Sequence, residues 1–305
     1  MAGQMKTLDK LSEQTKTIYT KMLAAQVLAD GHVDPRELSD LYLLMTQIHL
    51  SSPARKEIRE FFVKENIDIK QLARLIRRDS DHDLDVLQFS VIKDLVRVSK
   101  SDGTVAVQEE KTIDEVALAF YSEKEKAKKV VELAQRTVEY DEKLLNGGLV
   151  EAEYKKIAKN LASGATAIGV PVAALYFSGS VIGLSAAGIT SGLAALGLGG
   201  ILGISAMMTG IGAVVVLGVA TYSLGGWLLG AKQRSAKARR EMILQEVLKL
   251  NQRTIACMIE DYNSLAEQMQ NIAQLSQENR ERMEKLRGLY QTALSFLKER
   301  ERQYA

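Results

Sequence analysis

The sequence is short of cysteine, proline and aromatic residues, and each shortage excludes a class of protein. Its 305 residues include one cysteine, Cys257, so an intrachain disulfide framework and a multi-cysteine metal site are both excluded. Only three prolines and 6% aromatic residues are present, and alanine, leucine, glutamate, lysine and glutamine are abundant. This composition favours helix almost throughout, and we predict an all-α protein.

The chain also lacks a strong charge of either sign and any recognisable catalytic motif. Lys and Arg number 40 against 38 Asp and Glu, and this near-balance argues against a nucleic-acid partner. There is no Gly-x-Ser-x-Gly elbow, phosphate loop or His-x-x-x-His pair, so we expect no enzyme activity. Met1 to Gln14 has no apolar signal-peptide core, so we expect synthesis in the cytoplasm.

Charge is absent from one long internal stretch. From Asn160 to Ala231, 72 consecutive residues include no Asp, Glu, Lys or Arg, and 16 of the 22 glycines lie there. This contrast divides the chain into a helical domain (1–121), a connecting helix (122–160), a hydrophobic glycine-rich hairpin (161–231) and a long helix (232–305). The connecting helix is expected to break at Asn146-Gly147-Gly148, which suits a hinge.

The uncharged stretch has the length and flanks of a membrane hairpin. One bilayer span needs about 20 apolar residues, so the stretch is long enough for two spans and a turn. Lys155 and Lys159 precede it, and Lys232 and Arg240 follow it. Basic residues at both ends predict that both ends lie on the cytoplasmic side, which requires an even number of crossings. We therefore predict spans near 161–187 and 204–229.

Residue types within the stretch agree with this interpretation. Small residues spaced four apart let helices approach closely in lipid, tyrosine and tryptophan suit interfacial positions, and proline kinks a span. The predicted membrane residues are Pro171, Tyr176, Gly179, Gly183, Gly188, Gly192, Gly199, Gly203, Tyr222, Gly226, Trp227 and Gly230. The alternative is a hairpin buried inside a large water-soluble helical bundle.

The C-terminal region carries a heptad pattern. Its apolar residues recur at alternating spacings of three and four, which predicts one coiled-coil helix about 80–100 Å long. We expect this seam to bind a second copy or a partner helix, with Asn251 fixing its register. The seam residues are Ile255, Met258, Tyr262, Leu265, Met269, Ile272, Met283, Leu286, Tyr290 and Leu297.

The N-terminal region contains an internal repeat. The pattern Asp-Gly-x-Val-x-x-x-Glu begins at Asp30 and again at Asp102, 72 residues later, and each copy lies between two predicted helices. Glycine at the end of a helix can adopt the left-handed conformation that a turn needs. Glutamate in the first turn of the following helix is favoured by the dipole of that helix. The spacing matches half of an EF-hand loop, but the first loop positions carry no acids, which excludes a true EF-hand.

This repeat within an all-helical domain resembles the TerB-like (tellurite-resistance TerB) domain, over about residues 15–125. The resemblance implies an all-α domain, cytoplasmic or membrane-associated, connected with stress and phage-defence gene clusters. It also implies a metal site for a calcium-like divalent cation, which would gather Asp30, Asp34, Glu37, Asp102, Glu109 and Glu110. Ala106 replaces the counterpart of Asp34, so the second half-site is one carboxylate poorer. The alternative is that both turns are purely structural.

Two functions are compatible with these regions. In the first, the chain is a membrane-active protein that inserts its hairpin, as an oligomer, to form a pore or disrupt a bilayer in bacterial stress or defence. In architecture this layout resembles α-helical pore-forming toxins. In the second, the hairpin anchors a scaffold whose TerB-like domain and coiled coil recruit partners. Both predict association with the inner membrane, either constant or conditional.

Overall fold

A computed structural model describes residues 11–31, 33–62, 68–79, 84–100, 105–145, 151–171, 236–271 and 277–304. Every regular element among these residues is an α-helix. The helices are α1 Glu13–Val27, α2 Pro35–Gln47, α3 Ser52–Phe62, α4 Ile69–Asp79, α5 Leu84–Ser99, α6 Val107–Tyr121, α7 Lys124–Leu145, α8 Glu151–Ala167, α9 Ala236–Asn271 and α10 Gln277–Tyr304. The all-α prediction is confirmed for this part of the chain.

The two helices that precede the repeated turns, α1 and α5, lie against each other at the centre of the N-terminal half. Both are buried on most of their faces, although both carry hydroxyl side chains. Thr20 and Ser90 donate hydrogen bonds to the carbonyl oxygens four residues earlier, which satisfies these hydroxyls inside the core. Gln26 of α1 donates to Ser99 of α5 at 2.6 Å. The repeat therefore places equivalent helices side by side.

The remaining helices cover this centre from different sides. Helices α3 and α4 pack on α1, and α7 packs on both α5 and α6. Helix α8 runs antiparallel to α7. Gly164 lies beside Leu133, where an added Cβ would be 3.6 Å from its side chain, and the later Gly169 lies beside the earlier Lys126, where the distance would be 3.7 Å. Helices α9 and α10 pack on each other and on α2.

The C-terminal region is not one long helix, and that prediction is wrong. Helices α9 and α10 form an antiparallel pair, in which Asn251 donates to the Leu297 carbonyl oxygen at 2.9 Å and Gln291 donates to the Tyr262 hydroxyl at 2.8 Å. Because α10 folds back along α9, the apolar stripe of each helix packs against the other helix of the same chain. A second molecule is not needed to bury these residues. Asn251 is buried between the two helices, as expected for a polar residue that sets register.

The predicted first membrane span begins too early. Helix α8 continues to Ala167 and ends in a turn in which Gly169 adopts a left-handed φ of 72°. The Val170 amide donates to the Ala165 carbonyl oxygen at 2.9 Å, which closes the helix end. Leu161 and Val170 are buried in the helical core. Pro171 thus follows a helix end and does not kink a span from 161 to 187.

The rest of the predicted hairpin, including Tyr176, Tyr222, Trp227 and the glycines from Gly179 to Gly230, lies outside the described residues. Within the described part of the chain, none of the helices combines the length and apolar character that a bilayer crossing requires.

Candidate functional site

The acidic residues of the first repeat copy are used to begin a helix. Asp34 is the N-cap of α2, and its carboxylate accepts a hydrogen bond from the Arg36 amide at 2.6 Å. Glu37 accepts a hydrogen bond from the Asp34 amide at 3.3 Å, so the two residues form a capping box. Gly31 has a φ of 80°, the left-handed conformation expected of this turn. The first turn therefore has the structural features that its sequence predicts.

The second copy keeps the glutamate of this arrangement. Glu109 accepts a hydrogen bond from the Ala106 amide at 2.7 Å, as Glu37 does for Asp34. Both glutamates are mostly buried, since Glu109 is 6% exposed and Glu37 is 7% exposed. Ala106 has no side-chain acceptor, so the hydrogen bond from the Ala106 amide to Glu109 is the one half of the capping box that the second copy keeps.

The predicted metal ligands are only partly described. Asp30 and Glu110 are exposed, and Asp102 lies outside the described residues. The residues that the structure describes contain no group of three or more His, Cys, Asp and Glu side chains arranged to hold a metal ion. The capping geometry accounts for Asp34, Glu37 and Glu109, and the calcium-like ion stays a prediction.

A buried ionic cluster, which the sequence pattern did not lead us to expect, joins the N-terminal helices to the C-terminal pair. Asp261 of α9 is 1% exposed and lies between two arginines of α3. Arg55 Nε donates to Asp261 Oδ2 at 3.0 Å, and Arg59 Nη1 lies 2.6 Å from Asp261 Oδ1. The Tyr42 hydroxyl of α2 donates to the same carboxylate at 2.8 Å. We call these residues, with Tyr290 of α10, the Asp261 cluster.

Tyr290 completes the cluster from the last helix. Its hydroxyl is hydrogen-bonded to that of Tyr42, and neither side chain is more than 1% exposed. Glu260 lies at the edge, where its carboxylate is 2.8 Å from Arg55 Nη2 while its side chain is 58% exposed. The cluster therefore takes side chains from α2, α3, α9 and α10, and it has a solvated acidic neighbour.

The electrostatics of the cluster favour charged arginines and neutral tyrosines. Burial disfavours charge on Arg55 and Arg59, but Asp261 outweighs it and raises the pKa of both guanidinium groups. Burial raises the pKa of Tyr42 and Tyr290, and the nearby Asp261 charge raises both further. The phenols therefore stay protonated and act as hydrogen-bond donors, which suits structural contacts.

The buried charges do not balance. Arg55 and Arg59 are buried against one buried carboxylate, since Glu260 is largely in solvent. Arg59 Nε is buried and has no hydrogen-bond acceptor among the described residues. Arg59 Nη1 also lacks a well-aligned hydrogen bond there, but its 2.6 Å ion pair with Asp261 satisfies it electrostatically. The buried Nε–H donor of Arg59 without an acceptor costs free energy in the packed state, although Asp261 favours the charge of the guanidinium group.

The sequence contains a weak signal of this cluster. Arg55 and Arg59 are four apart, with the buried Ile58 beside them, so they lie on the inward side of α3. Asp261 follows Met258 by three residues and precedes Leu265 by four, which places it on the apolar face of α9. The heptad assignment gave that position to the adjacent Tyr262, which is only partly buried.

Most of the seam residues that the structure describes are buried within the chain. Met258, Leu265, Leu286, Tyr290 and Leu297 are among the buried core residues, and Tyr262 and Met269 are partly buried against them. Ile255 and Met283 also belong to this core, and Ile272 lies outside the described residues. The association of this seam with a second copy stays a prediction.

Residues 11–138 match the family model described as tellurite resistance protein TerB. The match spans α1 to α6 and most of α7, and it includes both copies of the repeat. The N-terminal part of the chain is therefore a TerB domain. No curated protein matches the chain, and neither does any solved structure.

Proposed function

We propose that this chain is a membrane-active helical protein that inserts its uncharged segment as a hairpin, while the TerB domain and the α9–α10 pair form the water-facing body. One observation carries the proposal. The segment leaves from α8, which packs on α7, and returns to α9, which packs on α2. Both ends are thereby tied to one helical body, which supports an even number of crossings. The basic residues at both flanks support the same arrangement.

Of the two forms of this function, the anchor is better supported than the oligomeric pore. The pore hypothesis relied on a long seam free to bind other copies, whereas Met258, Leu265 and Leu286 are buried within the chain. The segment also has no charged residue from Asn160 to Ala231 to line an ion path. A bacterial stress or defence role is part of the proposal, and only the tellurite-resistance description of the matched family supports it.

Membrane fractionation with arginine substitutions tests the proposal. Val215→Arg places a charge near the centre of the second predicted span, where it costs about 2.5–3.5 kcal/mol of insertion free energy. Ala186→Arg places a charge near the far end of the first predicted span, where the cost is smaller. Each variant should shift the protein from the carbonate-resistant pellet towards the supernatant. Gln135→Arg adds the same charge on the exposed side of α7 and should leave fractionation unchanged. If all three variants partition like the parent protein, the hairpin proposal is wrong.

Dye release separates an anchor from a pore. The purified protein is added to liposomes loaded with a self-quenching dye, and binding is measured by flotation in the same sample. An anchor should float with the liposomes and release little dye. Release that rises steeply with protein concentration, and that Val215→Arg abolishes, would establish the pore instead.

A further inference from the structure

The point at which the chain enters the uncharged segment lies beside the beginning of α7. Gly169 is next to Lys126, since a Cβ added at Gly169 would be 3.7 Å from Lys126 Nζ. Lys126 in turn lies 5.3 Å from the centre of the Tyr121 ring, at the end of α6. Val170 is buried, and Pro171 is the last described residue before the segment continues. The segment therefore leaves the helical body at the level of the first turn of α7.

The first two turns of α7 carry lysines whose charge is available to a partner. Besides Lys126, they contain Lys124, Lys128 and Lys129, and these three side chains are exposed. None of the three forms an ion pair with a described residue, whereas Lys21 on α1 is paired with a glutamate at 2.8 Å. We call Lys124, Lys128 and Lys129 the α7 lysine surface.

Nearby acids reduce the charge of this surface without cancelling it. Glu123 and Glu125 lie in the same stretch, so residues 123–131 carry four lysines and two glutamates. Arg77 of α4 and Asp85 of α5 both reach the end of α6, where they add one charge of each sign. The region keeps a net positive charge, which is complementary to an anionic partner.

The α7 lysine surface is closer to the start of the segment than the lysines that directly precede the segment in sequence. Each helical residue adds about 1.5 Å along the axis, so Lys124 and Lys129 both lie within about 5 Å of the level of Gly169. Lys159 lies eight residues before Ala167, the last residue of α8, and hence about 12 Å back along the helix. Because the Debye length in physiological salt is about 8 Å, a charged membrane at the start of the segment attracts the α7 lysine surface more strongly than Lys159.

We propose that the α7 lysine surface binds the anionic headgroups of the membrane that the uncharged segment enters. This assignment rests on the proposed function, because insertion of the segment brings the bilayer to this end of α8. The departing apolar segment favours lipid headgroups over the phosphates of a nucleic acid, which would leave that segment uncovered. The α7 lysine surface then supplies the positive flank on this side of the hairpin, whereas the sequence pattern pointed to Lys155 and Lys159.

Binding of the full chain to vesicles with and without an anionic lipid tests the α7 lysine surface. The purified protein is floated with vesicles of phosphatidylcholine alone, or of phosphatidylcholine mixed with phosphatidylglycerol. The parent protein should bind the anionic vesicles at least about 20-fold more tightly, and potassium chloride should reduce this preference by screening.

Substitution of the three lysines gives the decisive comparison. Each lysine near an anionic surface contributes about fivefold to the affinity. The triple variant Lys124→Gln, Lys128→Gln, Lys129→Gln should therefore bind the anionic vesicles at least about 20-fold more weakly than the parent protein. Its binding to phosphatidylcholine alone should change by less than about twofold, because the uncharged segment is intact. Lys126 is left unchanged because it packs on Tyr121.

A matched triple variant removes the same charge elsewhere on the protein. It carries Lys111→Gln at the opposite end of α6, with Lys285→Gln and Lys298→Gln on α10, and all three positions are exposed. Its binding to the anionic vesicles should fall by less than about threefold. Equal losses in the two triple variants, or equal binding of the parent protein to both kinds of vesicle, would overturn the α7 lysine surface.

Carbonate extraction of the vesicle-bound parent protein tests the hairpin separately. Complete extraction would overturn the insertion of the segment, while the comparison of the two triple variants would still decide whether the α7 lysine surface binds anionic headgroups. Resistance to extraction together with a selective loss in the α7 variant is the result expected when both proposals hold.

Discussion

Tyr42 and Tyr290 meet edge to face, with ring centroids 5.3 Å apart and ring planes at 78°, although 248 positions separate them in the chain. Edge-to-face pairs are favourable because the positive ring edge of one residue approaches the negative ring face of the other. The hydroxyls are also hydrogen-bonded to each other, and Tyr42 donates on to Asp261. This single contact links the second helix of the chain to the last.

The first prediction ranks two substitutions in the Asp261 cluster. Asp261→Asn leaves two buried arginines without a buried carboxylate and should lower the unfolding free energy of the α9–α10 contact by about 3–5 kcal/mol. Arg59→Met leaves Asp261 paired with Arg55 and removes the incompletely bonded guanidinium. It should cost no more than about 2 kcal/mol. Urea unfolding followed by circular dichroism measures both, and the reverse order would contradict the role of Asp261 as the carboxylate that both arginines share.

The second prediction concerns alkaline pH. The pKa of Tyr42 and of Tyr290 is raised above the ordinary value of 10.0 mainly by burial. The folded state therefore retains two protons that the unfolded state loses. The stabilisation is complete below about pH 10 and falls as pH rises towards the folded-state values, by about 1.4 kcal/mol per pH unit for each tyrosine.

Thermal melts between pH 8 and pH 11.5 measure this dependence. In the Tyr42→Phe, Tyr290→Phe double variant, the decline of the melting temperature above pH 10 should be shallower than in the parent protein. Tyr262 serves as the control, because its pKa is lowered by its hydrogen bond from Arg287, so Tyr262→Phe should not flatten the decline. An identical decline in the parent and the double variant would contradict the prediction.

The third prediction concerns the repeated turn. Gly31 has a φ of 80°, and no other atom lies within 4 Å of the position that a Cβ would occupy, so Gly31→Ala should cost about 1 kcal/mol through backbone strain alone. Glu109→Ala removes the acceptor for the Ala106 amide and should cost a similar amount. Thermal melts with calcium and with chelator should coincide if the turns are structural. A calcium-dependent rise in midpoint that Glu109→Ala abolishes would instead establish the metal site.

The fourth prediction concerns the heptad seam. Leu265 is 2% exposed, so Leu265→Ala should lower the stability of the α9–α10 pair by about 2–5 kcal/mol through the cavity it leaves. The sedimentation coefficient of the Leu265→Ala variant should match that of the parent protein, because the seam is buried within the chain. Gln268→Ala, about one turn further along α9 at a partly exposed position, is the control and should change neither quantity. Dissociation of an oligomer by Leu265→Ala would support the intermolecular seam.

Much of the TerB domain could be predicted from local patterns. The Asp-Gly turns, the capping Asp34 and the two glutamates that each follow an N-cap position by three residues are all consequences of short-range geometry. Helix type and the buried character of residues such as Leu265 also follow from periodicity. Gly169 and Pro171 are a local signal for the end of a helix. The predicted start of the membrane span at residue 161 followed the absence of charge from residue 160 onwards and not this signal.

Periodicity specifies which side of a helix must be buried, but it does not specify the surface that buries it. The stripe from Ile255 to Leu297 determined that these residues need apolar partners, and it is compatible with a long coiled coil or with an antiparallel pair. Only the tertiary structure decided that α9 and α10 fold back on each other and onto α2. The same holds for Asp261 and Arg55, whose 206-residue separation leaves no local trace of their pairing. Charges so far apart in sequence meet only when packing brings their helices together.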